Sequence, residues 1–211
     1  MSDDLGAAIL QEALHEAPFS GFSDATLRVA SSRAGATPAQ IAVLFPDGPA
    51  SLVAAFSHWA DAQIETRLSE ERPERIRDRI TKAVRVRLEA LAPHKEAARR
   101  AAAFLALPMH APLATTLLFE SVDTMWRAAG DSSSDFNYYT KRALLAGVYA
   151  STLVYWFSDE SYDSAKTWAF LDKRIDDVMQ IQKMRGELEK AVSQLPDPLG
   201  ILAALRAAVP R

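Results

Sequence analysis

Apolar residues recur along this chain at steps of three and four, and nothing alternates at period two over a useful length. Leu5, Ile9 and Ala13, with Leu10 and Leu14 beside them, mark a first helix, which Pro18 is expected to end before a turn at Gly21. Ser23 or Asp24 offers a side-chain oxygen to cap a second helix carrying Leu27, Val29 and Ala30. The string Arg33 to Pro38 reads as a stop and a restart. Gly35 suits a left-handed helix end, Thr37 an N-cap, and Pro38 the first helical position, where its missing N–H costs nothing. A short third helix, Ala39 to Leu44, ends before Pro46, and Asp47 is expected to cap a long fourth through Leu68.

Beyond Arg72 the predicted helices lengthen. Pro73 opens one whose Ile76, Ile80, Val84, Leu88 and Leu91 form a stripe, and Pro93 opens the next, ended before Pro108. Ala111 to Ala129 carries Leu113, Leu117, Leu118, Val122, Met125 and Trp126 on a broad apolar face and closes at Gly130. Ser134 or Asp135 starts a helix to about Phe157, and a further one covers roughly Ser164 to Glu189. Asp197 with Pro198 restarts a last, amphipathic helix. The fold class is all-α, organised as a bundle over 1–70, a larger bundle over 71–190, and a linker with a C-terminal helix over 191–211.

Composition narrows the chemistry. Of 211 residues, 49% are hydrophobic and 24% charged, as in ordinary globular domains, and there is no Cys for a disulfide, a thiolate metal site or a thiol nucleophile. The longest uncharged run, Ala101 to Phe119, is interrupted by Pro108, His110 and Pro112, so no membrane-spanning helix is expected. The first residues, MSDDLG, show neither a basic n-region nor an Arg-rich presequence, and no targeting segment is expected. Residues 1–70 hold three basic groups against nine acidic ones, −6, which leaves +3 for the rest of the chain. The basic excess gathers at Arg72, Arg75, Arg77, Arg79, Lys82, Arg85 and Arg87. That run reads as a solvated helix face with intrahelical pairs, or as a face drawn to anionic headgroups.

Leu27 to Pro38, with Phe45-Pro46 closing the third helix and a long fourth after it, resembles the TetR family of regulators. The resemblance implies a helix-turn-helix whose third helix enters the major groove of DNA. The residues argue otherwise, because Pro38-Ala39-Gln40-Ile41-Ala42-Val43-Leu44 offers only Gln40 to bases and a −6 segment repels phosphate. No specific DNA binding is expected. A ligand-responsive TetR-type repressor stands as the alternative function.

A more specific set runs through the second half: Ile80 to Leu91, Leu107-Pro108, Val122-Asp123-Thr124-Met125-Trp126, Gly130-Asp131, Asp135-Phe136-Asn137-Tyr138-Tyr139-Thr140, and Thr167 to Ile175. In that order these motifs resemble the ubiquinone (coenzyme Q) biosynthesis accessory proteins, the ninth of the numbered coenzyme Q series. The resemblance implies a TetR-like fold without regulator function and without catalysis. It further implies a protein that binds isoprenoid lipid in a hydrophobic pocket and presents quinone intermediates to the di-iron demethoxyubiquinone hydroxylase. Carried over, Met125, Tyr138 and Tyr139, with Arg142 a turn further on, are partner-contact candidates. A cytoplasmic protein peripherally associated with the inner membrane is expected, with no cofactor and with an isoprenoid quinone or a phospholipid as its bound ligand.

Further expectations attach to particular residues. Leu117, Val122, Met125, Trp126, Leu144 and Val148, on apolar faces of neighbouring helices, are expected to line the lipid pocket. Leu199, Leu202, Leu205 and Val209 form the apolar stripe of the last helix, which either packs on the body or lies on a membrane. The TetR-like resemblance implies that the helices starting near Asp135 and Ser164 pair into a homodimer, and the many-sided apolar character of 143–157 calls for such cover. Tyr138 and Tyr139 point about 100° apart on a helix, so one of them should be presented. Glu120, Asp123, Asp131 and Asp135 lack the Glu-x-x-His spacing of di-iron bundles, and neither a metal site nor catalysis is expected from them.

Overall fold

A computed structural model of the chain describes residues 2–71, 73–131 and 136–193. Nine α-helices appear among them: α1 (Ser2–Ser20), α2 (Asp24–Arg33), α3 (Pro38–Leu44), α4 (Pro49–Glu70), α5 (Ile76–Leu91), α6 (Lys95–Leu105), α7 (Ala111–Ala129), α8 (Phe136–Ser158) and α9 (Ala165–Ser193). No strand occurs in the described residues, and the fold is all-α. The described residues up to Leu171 form one compact unit and those from Asp172 on a second. The chain therefore does not divide at 70/71: α4 packs against α5 and α7, and α1 against α6, which ties the N-terminal helices into the larger bundle.

Local chemistry sets the ends of these helices. Thr37 and Gln40 close a reciprocal capping box on α3, with Pro38 at its first position. Gly35 (φ 70°) turns the chain after α2, Ser23 caps α2 by accepting from the Thr26 N–H, and Gly130 (φ 89°) ends α7. Three expected boundaries move. Pro18 lies inside α1, because a proline in the last turn forfeits one hydrogen bond and the helix closes at Gly21, whose N–H donates to the Ala17 carbonyl at 2.9 Å. Asp47 is not the cap of α4; Gly48 holds that position, and the Asp47 N–H donates to Ser51 Oγ. Pro73 opens no helix, since its carbonyl accepts from Arg79 Nε and α5 begins at Ile76.

The core of the first unit centres on α4. Leu52, Val53, Phe56 and Ile64 are fully or almost fully buried, as are Val84 and Leu88 of α5 and Val122 and Met125 of α7, the two helices α4 packs against. Each such side chain stabilises the fold by roughly 1.5–3 kcal/mol relative to exposure. Trp156 of α8 is equally buried, with the Lys95 ammonium 5.0 Å from its ring centre. α9 is fastened at its start by Asp159, which accepts from the Ser161 N–H, the Thr167 N–H and the Thr167 hydroxyl. In the second unit Arg174 pairs with Asp177 at 2.7 Å. The stripe Leu199, Leu202, Leu205 and Val209 lies outside the described residues.

Candidate functional site

Between α4, α5, α6, α7 and α8 lies an apolar cavity of about 310 Å³. Its walls are built from small and aliphatic side chains, Val53, Leu91, Ala101, Leu105, Ala114 and Leu117 among them. Alanines make the space: α6 reads Ala97-Ala98 and Ala101-Ala102-Ala103, and a helix face without γ-carbons leaves a gap that larger neighbours do not fill.

One end of this cavity is polar. Arg87 of α5, 5% exposed, donates from Nε to Asp61 Oδ1 of α4 at 2.6 Å, from Nη2 to Ser57 Oγ at 2.8 Å, and from Nη1 to the Tyr149 hydroxyl of α8. Ser121 of α7 donates to the other Asp61 oxygen at 2.9 Å. Burial works against the Arg87 charge, and Tyr149 and Asp61 beside it outweigh that and raise its pKa. The Tyr149 hydroxyl is pushed above its ordinary value chiefly by burial. Tyr149 and Ser57 both accept from Arg87, so each hydroxyl keeps its own hydrogen to donate into the cavity.

Asp61 also borders a wider cleft of about 800 Å³ between α4, α7 and α8, so the Arg87–Asp61 pair separates the two spaces. Glu65, Glu120 and Asp123 give this cleft an acidic rim, with His58 Nε2 2.9 Å from Glu120 Oε2. Arg142, buried, bonds Asp123 through Nε and Nη2 at 2.7 Å, and its guanidinium lies 3.3 Å from the centre of the Tyr138 ring. Tyr138 donates its hydroxyl to Asp123 Oδ1 at 3.1 Å. Burial alone would raise the Asp123 pKa, but the bonds from Arg142 and Tyr138 hold it below the usual carboxylate range. Asp131 bonds Lys141 at 2.9 Å and approaches Arg142 at 3.5 Å, and so fastens the end of α7 to α8.

The structure distributes the candidate residues unevenly. Of the expected pocket lining, only Leu117 faces the apolar cavity. Val122, Met125 and Val148 are buried in helix packing and Leu144 is half-buried, none of them lining either space, because the apolar faces that meet most closely leave no room between them. Trp126, half-buried, donates from Nε1 to the Lys141 carbonyl at 3.3 Å. Met125 is not placed to touch a partner either, since a side chain with 0% exposure has no surface to offer. Tyr138 and Arg142 are held by Asp123 at the cleft, while Tyr139 stands 70% exposed at its edge. Asp135 lies outside the described residues.

Four residues of the basic run, Arg79, Lys82, Arg85 and Arg87, take separate structural tasks. Arg79 ties down the carbonyls of Pro73, Glu74 and Ala129, Lys82 pairs with Glu71, and Arg85 pairs with Glu89 and covers the Trp168 ring. Arg87 is not on a solvated face at all. The third helix presents Ala39, Gln40, Ala42 and Val43 to solvent, Val43 at 78%, and carries no Lys or Arg. Among the described residues no three His, Asp or Glu side chains converge as metal ligands would.

Residues 111–182 match the sequence profile of the COQ9 family. Over 193 residues, 89% of this chain and 59% of the relative, the chain is 34% identical to the mitochondrial ubiquinone biosynthesis protein COQ9 of Drosophila melanogaster. The rat protein of the same name is 36% identical over 182 residues, 82% of this chain and 58% of the relative, and the human one 33% over 188 residues, 85% and 59%. The chain thus spans about 59% of the length of these curated relatives. The match takes in α7, α8 and the first part of α9, the helices that carry the Arg142 cluster and one wall of the apolar cavity.

Proposed function

The chain belongs to the COQ9 family, and from that membership and the cavity we propose that it is a lipid-binding accessory protein of ubiquinone biosynthesis. It holds an isoprenoid quinone intermediate and presents it to the di-iron demethoxyubiquinone hydroxylase, itself catalysing nothing. The observation that carries this reading is an apolar space of about 310 Å³ that ends on two hydroxyl donors. That volume is near the lower end of ligand pockets, roughly 300–1,000 Å³, and suits a substituted ring with the first units of its tail. Apolar walls exclude water from the prenyl chain, and Tyr149 and Ser57 donate to a ring oxygen. Arg87 and Asp61 hold those hydroxyls in place and polarise them.

The cleft on the far side of Arg87–Asp61 is the docking face for the hydroxylase. Tyr139 supplies an exposed aromatic anchor, and Tyr138 and Arg142 give it a rigid floor. The site of action is the membrane that carries ubiquinone; the relatives from Drosophila melanogaster and rat are named mitochondrial. Ala143, Gly147 and Val154, exposed along one stripe of α8, are the surface on which two copies pair.

Tyr149→Phe tests the ring-binding part. Native mass spectrometry should show a short-chain prenyl quinone bound about fivefold to tenfold more weakly, as loss of one hydrogen bond of about 1 kcal/mol implies. A polyprenol without a ring should bind as it does to the parent. Equal weakening of both ligands, or no lipid bound to the parent chain, would reject the reading.

A further inference from the structure

The longest uncharged stretch of the chain, Ala101 to Phe119, folds into the hairpin that joins α6 to α7. Its tip is apolar and open to solvent. Met109 is 76% exposed and Leu107 46%, with Pro108 and Pro112 exposed beside them. Scattered exposed apolar side chains are ordinary, but these adjoin an apolar cavity. Exposure along the cavity wall has a direction. Arg87, Ser121 and Tyr149 at one end are buried; Ala102, Leu105, Ala114 and Leu118 on the two arms of the hairpin are half-buried, as are Ser57, Ala150 and Leu153, and the one fully exposed lining residue is Ala106 at the hairpin itself. The most open part of the cavity wall therefore lies beside the tip. His110 stacks on Phe104 with 3.9 Å between ring centres and braces the turn.

We propose that the hairpin 105–112 inserts into the apolar edge of a lipid bilayer, so that the cavity takes its occupant from the membrane and not through water. The placement of charge fits this occupant. Along the chain, the nearest charged residues are Arg99 and Arg100 on one arm and Glu120 on the other. At 1.5 Å per helical residue Arg100 stands roughly 10 Å from Leu107, which puts it at headgroup level when the tip is sunk by about 5–10 Å. Arg99 and Arg100 share one carboxylate, Glu96, and both side chains are about half exposed, which leaves positive charge facing the phosphates. A prenyl tail released into water would expose its whole apolar surface, and a mouth within the bilayer avoids that exposure. This inference rests on the reading of the cavity as a lipid site, and the two measurements below separate the claims.

The chain contains no Cys, so Met109→Cys creates a single attachment point for an environment-sensitive nitrobenzoxadiazole label at an exposed position. Vesicles of phosphatidylcholine with one-third phosphatidylglycerol should shift its emission to the blue, and lipids spin-labelled near the headgroup should quench it. The same label on Val43→Cys, exposed on α3, should respond to neither. In the second measurement, Leu107→Asp with Met109→Asp should slow transfer of a fluorescent prenyl quinone from vesicles by on the order of tenfold. Binding of that probe from detergent should be unchanged, because neither residue lines the cavity. A label at 109 that behaves like the one at 43, or transfer at the parental rate, overturns the hairpin. A probe that binds from neither source defeats the lipid reading of the cavity, while the label still decides the hairpin.

Discussion

Removing the Asp61 carboxylate strands a charge in the middle of the bundle. Arg87 and Asp61 are 5% and 6% exposed, and the guanidinium loses its one anionic partner in Asp61→Leu while keeping only the neutral oxygens of Ser57 and Tyr149. Breaking a buried ion pair from one side costs about 3–5 kcal/mol, because the remaining charge is uncompensated. For a chain of this size that is a fall in melting temperature of roughly 6–20 °C. The double change Asp61→Leu with Arg87→Met removes both charges and adds apolar volume next to Val53 and Leu117. It leaves three hydroxyls short of a partner, at about 1 kcal/mol each or less where they turn to the cavity. The double variant should therefore be more stable than Asp61→Leu by about 2 kcal/mol, despite carrying one more substitution. Urea unfolding followed by far-ultraviolet circular dichroism measures this as a shift of midpoint at constant slope. A double variant no more stable than Asp61→Leu, or a single variant within about 1 kcal/mol of the parent, would refute the account of a charge held by its partner.

Tyr139→Ala should melt within about 0.5 kcal/mol of the parent, since its ring is mostly in solvent, yet lose roughly thirtyfold in capture of the di-iron hydroxylase in a pull-down. Full retention of binding would remove Tyr139 from the docking face. Asp159→Ala should destabilise the start of α9 by about 1–3 kcal/mol at pH 7, because two N–H groups and the Thr167 hydroxyl lose their acceptor. Burial opposes ionisation of Asp159, but the bonds from Ser161 and Thr167 prevail and set its pKa far below the ordinary 3.8. The folded state thus favours the ionised form. Its contribution is complete above the unfolded value and is lost as pH falls below about 4, so the parent should weaken more steeply with acid than the variant in melts between pH 5 and 2.

Helix identity and most helix ends are legible in the chain because they are settled within a few residues. Thr37 with Gln40, Pro38, Gly35 and Gly130 act on backbone groups one turn away, and the structure uses each as the local pattern predicts. The exposure of one of two adjacent tyrosines follows in the same way, from helical geometry alone. Where two local signals compete the outcome is less legible: Pro18 breaks a hydrogen bond, but so near the end of α1 that the helix continues to Ser20.

The site was decided by packing. Arg87 belongs to a run of seven basic residues that reads as one charged surface, and only the approach of α4, 26 positions earlier, and α8, 62 later, makes it a buried anchor. Its one hint in the chain is position: it stands beside Val84, Leu88 and Leu91 of the apolar stripe. Val122 and Met125 are as apolar as Leu117 and were equally good candidates for a cavity wall. A cavity, however, is the space that side chains fail to fill, and that is fixed by the alanines of α6 opposite, not by the hydrophobicity of α7. Periodicity tells which face of a helix turns inward; it carries no distance to the neighbour that meets that face, and burial, charge pairing and empty volume all depend on that distance.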